Sequence, residues 1–174
     1  MSEQSLSQEL VIRTLPNTRW DESVVDTSAI DALEQGKVLF LPQLAFTLTA
    51  EEQMLLTPQL VDAKRKNISF NPQTDRVNGV ADDSKLPQVK ALMVRHYQHS
   101  LRLIDGILPD YRASLHSPAN TLRLHPIAAW RDATSWRKDD SRLHVDAFPS
   151  RPNHGERILR IFSNIHPHGE SLSL

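Results

Sequence analysis

The residues best suited to chemistry lie in one alternating run, Arg142-Leu143-His144-Val145-Asp146-Ala147. Residues two apart on a strand point to the same face, so Arg142, His144 and Asp146 would share one face while apolar side chains bury the other. Imidazole and carboxylate in His-x-Asp spacing supply two of the three ligands of a 2-His-1-carboxylate Fe(II) site, which keeps positions open for a cosubstrate and oxygen. His144 and Asp146 are therefore the predicted metal ligands. A surface histidine paired with a carboxylate is the alternative that spacing alone leaves open.

Three further histidines, His154, His166 and His168, follow this run and suggest a different metal. Histidine and aspartate both suit zinc, so a zinc site built from the C-terminal histidine cluster is a second possibility. The sequence His166-Pro167-His168-Gly169 is more simply explained as a turn at the end of a strand.

Basic residues surround the candidate metal ligands, and most of them are expected to be solvated. One or two could bind a carboxylate or phosphate, because the planar guanidinium matches those groups. The candidates for this substrate-binding role are Arg142 and Arg151.

The composition restricts the classes of protein that the chain can belong to. The chain has 174 residues, with 20 Lys+Arg against 21 Asp+Glu and a formal net charge of −1, so no overall field would attract nucleic acid. The absence of cysteine excludes disulfides, a thiol nucleophile and cysteine-ligated metals, and suits a reducing cytoplasm. The first ten residues lack the features of a secretion signal, and the longest apolar runs are too short to span a bilayer.

The elements that must position the site are predicted to be mainly helices in the first part of the chain and mainly strands in the last part. Residues 1–26 are expected to form an arm with one short strand. The elements expected after the arm are a helix over 27–35 closed by Gly36, a buried strand over 38–41, a helix that opens with a capping box at Thr49, and a long loop over 66–85.

The clearest predicted element is a helix from Leu86 to about Leu108, because apolar residues recur there at spacings of three and four. His96 lies near the edge of this stripe and is expected to pack or to form hydrogen bonds rather than bind metal. Strands are expected over 121–125, 142–147 and 157–165, with the last two joined as a hairpin. This order predicts a single α+β domain over 1–174, with helices packed on a sheet.

The run from Ser135 to Pro152 and its continuation from Gly155 to Glu170 resemble the signature of the bacterial Kdo hydroxylases. The segment Thr121-Leu122-Arg123-Leu124-His125-Pro126 is also similar. The resemblance implies an Fe(II)- and 2-oxoglutarate-dependent dioxygenase that hydroxylates C3 of Kdo in Kdo-lipid A, within the lipopolysaccharide inner core. It implies a double-stranded β-helix, or jelly roll, and His144 and Asp146 as the first two iron ligands.

The resemblance also implies a third ligand, a distal histidine, and a basic anchor for 2-oxoglutarate on later strands. The last four residues do not resemble the family's continuation, so a truncation or frameshift after Glu170 is expected. Residues 1–118 would then be a mainly helical lead-in, and 119–174 the first strands of an incomplete jelly roll. His166 and His168 are weak substitutes for the missing ligand.

Two other functions remain open. The chain could be a non-catalytic remnant or an interaction module that self-associates through an open sheet edge. It could instead be the zinc protein described above. For the dioxygenase, the expected location is the cytoplasm, with peripheral contact with the inner membrane and no nucleic-acid partner.

Overall fold

The structure is a computed structural model that describes residues 11–23, 28–116, 118–125 and 152–166. Its strands and α-helices, numbered in chain order, are β1 (Ile12–Thr14), α1 (Ser28–Glu34), β2 (Val38–Phe40), α2 (Ala50–Gln53), β3 (Ile68–Asn71), β4 (Arg76–Asn78), α3 (Leu86–Ile107) and β5 (Asn120–Leu122). Short 3-10 helices cover Pro58–Leu60, Asp83–Lys85 and Pro109–Ser114. The described chain is therefore a mixed helix-and-sheet fold, as the sequence predicts.

Helix α3 is the central element, and it ends within one residue of its predicted end. Its inward face follows an alternating spacing of four and three residues through Val89, Met93, His96, Ser100, Leu103 and Ile107. This spacing is typical of a helix packed along its whole length. The predicted apolar stripe is confirmed at Val89, Leu92, Met93 and Ile104, which are buried, and His96 and Ser100 lie half-buried between the two ends of this face.

Helix α3 packs on a three-stranded antiparallel sheet of order β4-β3-β5. The pairs Ser69–Asn78 and Ser69–Thr121 form a polar row on the outer face. The inner face contributes to the sheet cluster, which comprises Phe46, Leu55, Leu60, Val61, Ile68, Phe70, Val89, Leu92, Met93 and Leu122. This arrangement confirms that helix and sheet share one apolar core.

The prediction of a long loop over 66–85 is wrong, because β3 and β4 form a hairpin within it. The turn residues form only the connection between the strands. There the Asn71 side-chain oxygen accepts hydrogen bonds from the backbone of Gln73 and Thr74, and Asp75 adopts a positive φ of 54°. The alternation of Ile68, Ser69 and Phe70 is the strand signal that the many turn residues obscured.

Strand β2 pairs in parallel with β1 and not within a buried sheet. Val38 and Phe40 are 57% and 52% exposed, so the predicted strand is confirmed but its predicted burial is wrong. Only the face carrying Leu39 packs inward. It meets the N-terminal cluster, which comprises Leu15, Ala29, Leu103, Ile104, Ile107 and Leu108.

Helix α1 ends as predicted at Gly36, which has a φ of +80°. The Gly36 amide donates to the Leu33 carbonyl, and the Lys37 amide donates to the Ala32 carbonyl. These two bonds form a Schellman motif, in which glycine supplies the left-handed conformation.

The capping box predicted at Thr49 is also present. The Thr49 hydroxyl accepts from the Glu52 amide at 3.2 Å, and the Glu52 carboxylate accepts from the Thr49 amide at 2.9 Å. The same carboxylate lies 2.6 Å from Arg95 on α3, so the cap also fixes α2 to the central helix.

The strand predicted over 157–165 is only partly correct. Residues 152–166, called the C-terminal segment below, contain no assigned strand. Their side chains nevertheless alternate as in a strand: residues 159, 161, 163 and 165 face inward, and the residues between them are exposed. Because a strand is defined by ladder bonds to a neighbour, the pattern specifies the extended conformation and the faces but not the pairing.

Candidate functional site

Most of the predicted site lies outside the described residues. This holds for the predicted iron ligands His144 and Asp146, for Arg142 and Arg151, and for His168. His154 and His166 are described, and both are exposed. The structure therefore describes the elements that precede and follow the predicted ligand run in the sequence.

The turn that follows the ligand run has a defined geometry. His154 and Gly155 have φ values of +49° and +86°. The Glu156 amide donates to the Asn153 carbonyl at 2.7 Å. Positive φ at both central residues is typical of a type I′ turn, the two-residue loop that best matches the twist of a β-hairpin. The observation supports the predicted hairpin, although its first strand, 142–147, lies outside the described residues.

After this turn, the inward side chains of the C-terminal segment pack along α3. Leu159 and Ile161 contact the N-terminal cluster, and Ile165 contacts the sheet cluster. Because the N-terminal cluster lies at the carboxyl end of α3, the segment runs antiparallel to the helix. Residues of the predicted strand 157–165 therefore pack against both apolar clusters.

Midway along the segment, Ser163 Oγ lies 3.0 Å from Nε2 of His96 on α3. The half-buried imidazole packs edge-on against Phe46 and Trp20, with ring centroids 5.1 and 6.2 Å away. Burial lowers the pKa of His96 below its ordinary value, and the neighbouring His99 and Arg95 lower it further. His96 therefore favours the neutral form, and its predicted packing and hydrogen-bonding role is confirmed.

A second polar contact fixes the beginning of the segment. The Glu34 carboxylate at the end of α1 accepts a hydrogen bond from the Tyr111 hydroxyl and pairs with the Arg157 guanidinium. The Tyr111 and Arg157 hydrogen bonds lower the pKa of Glu34, in that order of effect. The segment is thus joined by polar contacts to α1 and to α3.

The described histidines of the predicted zinc cluster do not lie together. His154 is at the turn, and His166 is at the far end of the extended segment, where its amide donates to the Asn164 side chain. Within the described ranges, no group of three or more histidine, aspartate or glutamate residues could hold a metal ion. A zinc site involving His168 stays a prediction.

The sequence analysis missed Ser163 and Trp20 as parts of this framework. The available signal was the heptad spacing of α3, which places His96 and Ser100 on the inward face and so requires polar partners for them. Trp20 meets this face from the arm, where its indole nitrogen donates to the Ala45 carbonyl at 3.0 Å. Neither partner can be located from periodicity alone.

Comparison with known proteins identifies the class. Residues 17–172 match the family of 3-deoxy-D-manno-oct-2-ulosonic acid (Kdo) hydroxylases. The chain is also similar to solved structures of the Kdo hydroxylase KdoO, a non-heme Fe(II) α-ketoglutarate-dependent dioxygenase. No curated protein sequence matches it.

Three of these structures show the extent of the likeness. The complex of KdoO with α-ketoglutarate and Fe(III) is 38% identical, with a TM-score of 0.81, over 91% of this chain and 53% of that one. The cobalt(II) complex is 39% identical, with a TM-score of 0.82, over 90% and 53%. The apo structure is 39% identical, with a TM-score of 0.82, over 91% and 53%.

These matches show that the chain shares the fold of the KdoO dioxygenase over the matched region. The described residues of this chain form a mixture of helices and strands. The chain belongs to the Kdo hydroxylase family. The resemblance noted from the sequence is confirmed. The chain spans about half the length of the solved structures it matches, at 53% of each.

Proposed function

We propose that this chain carries the ligand run of an Fe(II)- and 2-oxoglutarate-dependent dioxygenase that hydroxylates C3 of Kdo in Kdo-lipid A, part of the lipopolysaccharide inner core. One observation carries the proposal: the family match over 17–172 contains the whole predicted ligand run. Solved relatives at 38% identity hold iron with α-ketoglutarate and with succinate, the cosubstrate and its decarboxylated product.

In this proposal His144 and Asp146 hold the metal, since an imidazole and a carboxylate are suitable donors for Fe(II). Bound iron and 2-oxoglutarate would supply the oxidative decarboxylation that is coupled to insertion of oxygen into a C–H bond. Arg142 and Arg151 would bind the substrate, because the guanidinium fork matches the carboxylate of the sugar acid. The guanidinium groups would therefore orient the sugar acid and neutralise its charge.

We also propose a more specific fold for the chain, namely the beginning of a jelly roll. The type I′ turn and the two-faced C-terminal segment support a hairpin that starts such a sheet. His166 and His168 are retained as weak candidates for a third ligand. His166 is exposed and extends from the outer face of the segment, not towards α3.

The proposed location is the cytoplasm, with peripheral contact with the inner membrane where the substrate is embedded. Among the described helices, none has the length and apolarity needed to cross a bilayer. Binding to vesicles that contain Kdo-lipid A, compared with vesicles that lack it, would test the proposed contact.

The decisive experiment is an anaerobic titration of the purified chain with Fe(II) and then 2-oxoglutarate, followed by the visible charge-transfer band of the chelate. We expect a saturable band in the parent chain and none in His144→Ala or Asp146→Ala. His154→Asn is the matched control, because it removes an exposed imidazole that has no place in the proposed site, and asparagine tolerates the positive φ of this turn position. A folded parent chain without a band would contradict the proposal for these 174 residues.

A second candidate function is self-association through the C-terminal segment. It is favoured by two apolar side chains on the outward face, Ile158 at 52% and Phe162 at 76% exposure. An extended backbone with apolar outward side chains can pair with another chain. We expect light scattering to show a concentration-dependent dimer in the parent chain and a monomer in Phe162→Lys. A parent chain that stays monomeric at high concentration would exclude this candidate.

A further inference from the structure

A pocket lies on the outer face of the three-stranded sheet. Its volume is about 330 Å³, which lies within the range of small-ligand pockets and equals the liquid volume of about ten water molecules. One sugar ring has a similar number of non-hydrogen atoms. This sheet-face pocket is lined mainly by polar and small side chains, among them Ser69, Asn71, Gln73, Asn78, Pro118 and Ala119.

The alternation of β3 builds the floor of the pocket. Ile68 and Phe70 are buried in the sheet cluster. Because side chains alternate along a strand, Ser69 and Asn71 project from the opposite face. Asn78 of β4 extends this face, since it is directly opposite Ser69. The floor is thus held by the ladder of hydrogen bonds between two strands.

The walls come from the connections on either side of this floor. Gln73 lies in the hairpin turn between β3 and β4. Pro118 and Ala119 come directly before β5, and the pairing of β5 with β3 brings them beside Asn71. The proline ring fixes φ in this wall. The pocket is therefore built on a sheet and a restrained connection, as preformed ligand sites are.

The pocket offers hydrogen-bonding groups that the described part of the chain does not use. Among the described residues, the side chains of Ser69, Gln73 and Asn78 have no hydrogen-bond or ion-pair partner. The Asn71 Oδ1 accepts from the amides of Gln73 and Thr74 at 2.8 and 3.2 Å, which orients this side chain and leaves its Nδ2 as a donor. Hydroxyl and amide groups together both donate and accept, as the hydroxyl groups of a sugar do.

The lining residues are all described, and none of them is charged. A phosphate or carboxylate would lose hydration there without gaining a cation as its partner, whereas a neutral hydroxyl group loses far less. Pro118 and Ala119 supply apolar atoms that can pack against the C–H groups of a sugar ring. From this combination we infer that the sheet-face pocket is a binding site for a neutral sugar ring.

This inference goes beyond the proposed function and does not rest on it. The lining residues belong to β3, β4, their hairpin turn and the connection into β5, and the predicted ligand run contributes none of them. Sugar binding is measured without metal, so its result is independent of whether the chain binds iron.

Three methyl glycosides are suitable probes. Methyl α-D-glucopyranoside and methyl α-D-mannopyranoside are neutral, and methyl α-D-glucuronide replaces the hydroxymethyl group of the glucoside with a carboxylate. Each is titrated into the isotope-labelled full chain, and the side-chain amide NMR signals of Asn71, Gln73 and Asn78 are followed. We expect saturable shifts with a millimolar dissociation constant for at least one neutral glycoside, and binding of the glucuronide at least about tenfold weaker.

Variants test whether binding occurs in the pocket. Asn78→Leu and Gln73→Met each remove an amide at nearly constant size, and we expect them to raise the dissociation constant about three- to tenfold. Gln73 lies in an exposed turn, so its variant tests the site even if Asn78→Leu does not fold. Thr121→Val is the matched control and should bind like the parent chain, because Thr121 is opposite Ser69 on the same outer face but does not line the pocket.

A charge added to the pocket should reverse its preference. We expect Gln73→Arg to bind the glucuronide more tightly than either neutral glycoside, because the guanidinium supplies the missing partner for the carboxylate. The inference is overturned if neither neutral glycoside gives a saturable shift at about 0.1 M, where a millimolar site is saturated. It is also overturned if the parent chain binds the glucuronide as tightly, or if Thr121→Val weakens binding as much as the two amide variants do.

Discussion

The guanidinium of Arg157 pairs with the carboxylate of Glu34, 123 residues earlier in the chain. Glu34 is the last residue of α1, and Arg157 is the first residue after the type I′ turn. The pair therefore joins the start of the C-terminal segment to the helical layer. This pair and the His96–Ser163 bond are polar attachments of the segment that lie on either side of Leu159 and Ile161.

Removing this pair should loosen the segment without unfolding the domain. The side chains of Arg157 and Glu34 are 72% and 43% exposed, so their attraction is weakened by water and salt. We expect Arg157→Ala to leave the melting temperature nearly unchanged but to speed amide exchange over 156–161, measured by mass spectrometry. Arg112→Ala is the control, since its partner Asp105 lies on α3. Equal exchange in both variants would show that the Glu34 contact does not hold the segment.

The Glu52 carboxylate should contribute to stability through two separate contacts. Burial raises its pKa, but Arg95 and the Thr49 amide outweigh this effect, so the pKa is lowered overall. Glu52→Gln keeps an oxygen for the cap and loses the charge facing Arg95, while Glu52→Ala loses both. We expect urea unfolding to show a loss of about 0.5–1 kcal/mol for glutamine and about 1–2 kcal/mol for alanine. A glutamine variant as unstable as alanine would assign the whole effect to the ion pair.

The lowered pKa of His96 predicts that stability falls in mild acid. Burial is the main cause, so the folded chain binds this proton less readily than the unfolded chain, whose histidines titrate near 6.5. Below pH 6.5 the unfolded state therefore binds more protons than the folded state. The stabilising contribution present at neutral pH is lost as the pH falls from the unfolded-state pKa through the lower folded-state pKa. We expect the urea midpoint to drop between pH 7.5 and 5.5 by less in His96→Gln than in the parent chain. Parallel pH profiles would refute this assignment.

The sequence predicts elements whose signals are local. The capping box at Thr49, the glycine that closes α1 and the periodicity of α3 each lie within a few residues, so these elements are found close to their predicted ends. The metal ligands are predicted in the same local way, from one alternating hexapeptide, and they stay predictions because they lie outside the described residues.

What the sequence could not predict depends on distant partners. The outer face of β2 is exposed because β1, 26 residues earlier, is its partner in a two-stranded sheet. His96 of α3 is half-buried because Ser163 and Trp20 satisfy and cover a polar ring that hydropathy assigns to the edge of the stripe. Tertiary partners thus override the local pattern in both cases.

Two glycines with positive φ offer a matched test of backbone strain against steric fit. A Cβ at Gly36, with φ of +80°, would meet no atom within 4 Å, whereas a Cβ at Gly79, with φ of +92°, would lie 2.7 Å from the Asn67 carbonyl oxygen. We expect Gly36→Ala to cost about 1–2 kcal/mol, the ordinary cost of a left-handed residue. Gly79→Ala should cost clearly more, because backbone must move as well. Equal unfolding free energies in the two variants would contradict the close approach at Gly79.

Ligand binding should also raise the melting temperature, and the metal that causes the rise distinguishes an iron site from a zinc site. A ligand that binds only the folded state at 100 times its dissociation constant stabilises it by about 2.7 kcal/mol, which for a chain of this size is roughly 5–10 °C in melting temperature. Under anaerobic conditions we expect Fe(II) with 2-oxoglutarate to produce such a shift in the parent chain and none in His144→Ala. The C-terminal zinc alternative predicts instead that Zn(II) alone raises the melting temperature, that His166→Ala and His168→Ala abolish the rise, and that His144→Ala preserves it. That second pattern, without an iron-dependent shift, would replace the dioxygenase site with a zinc site.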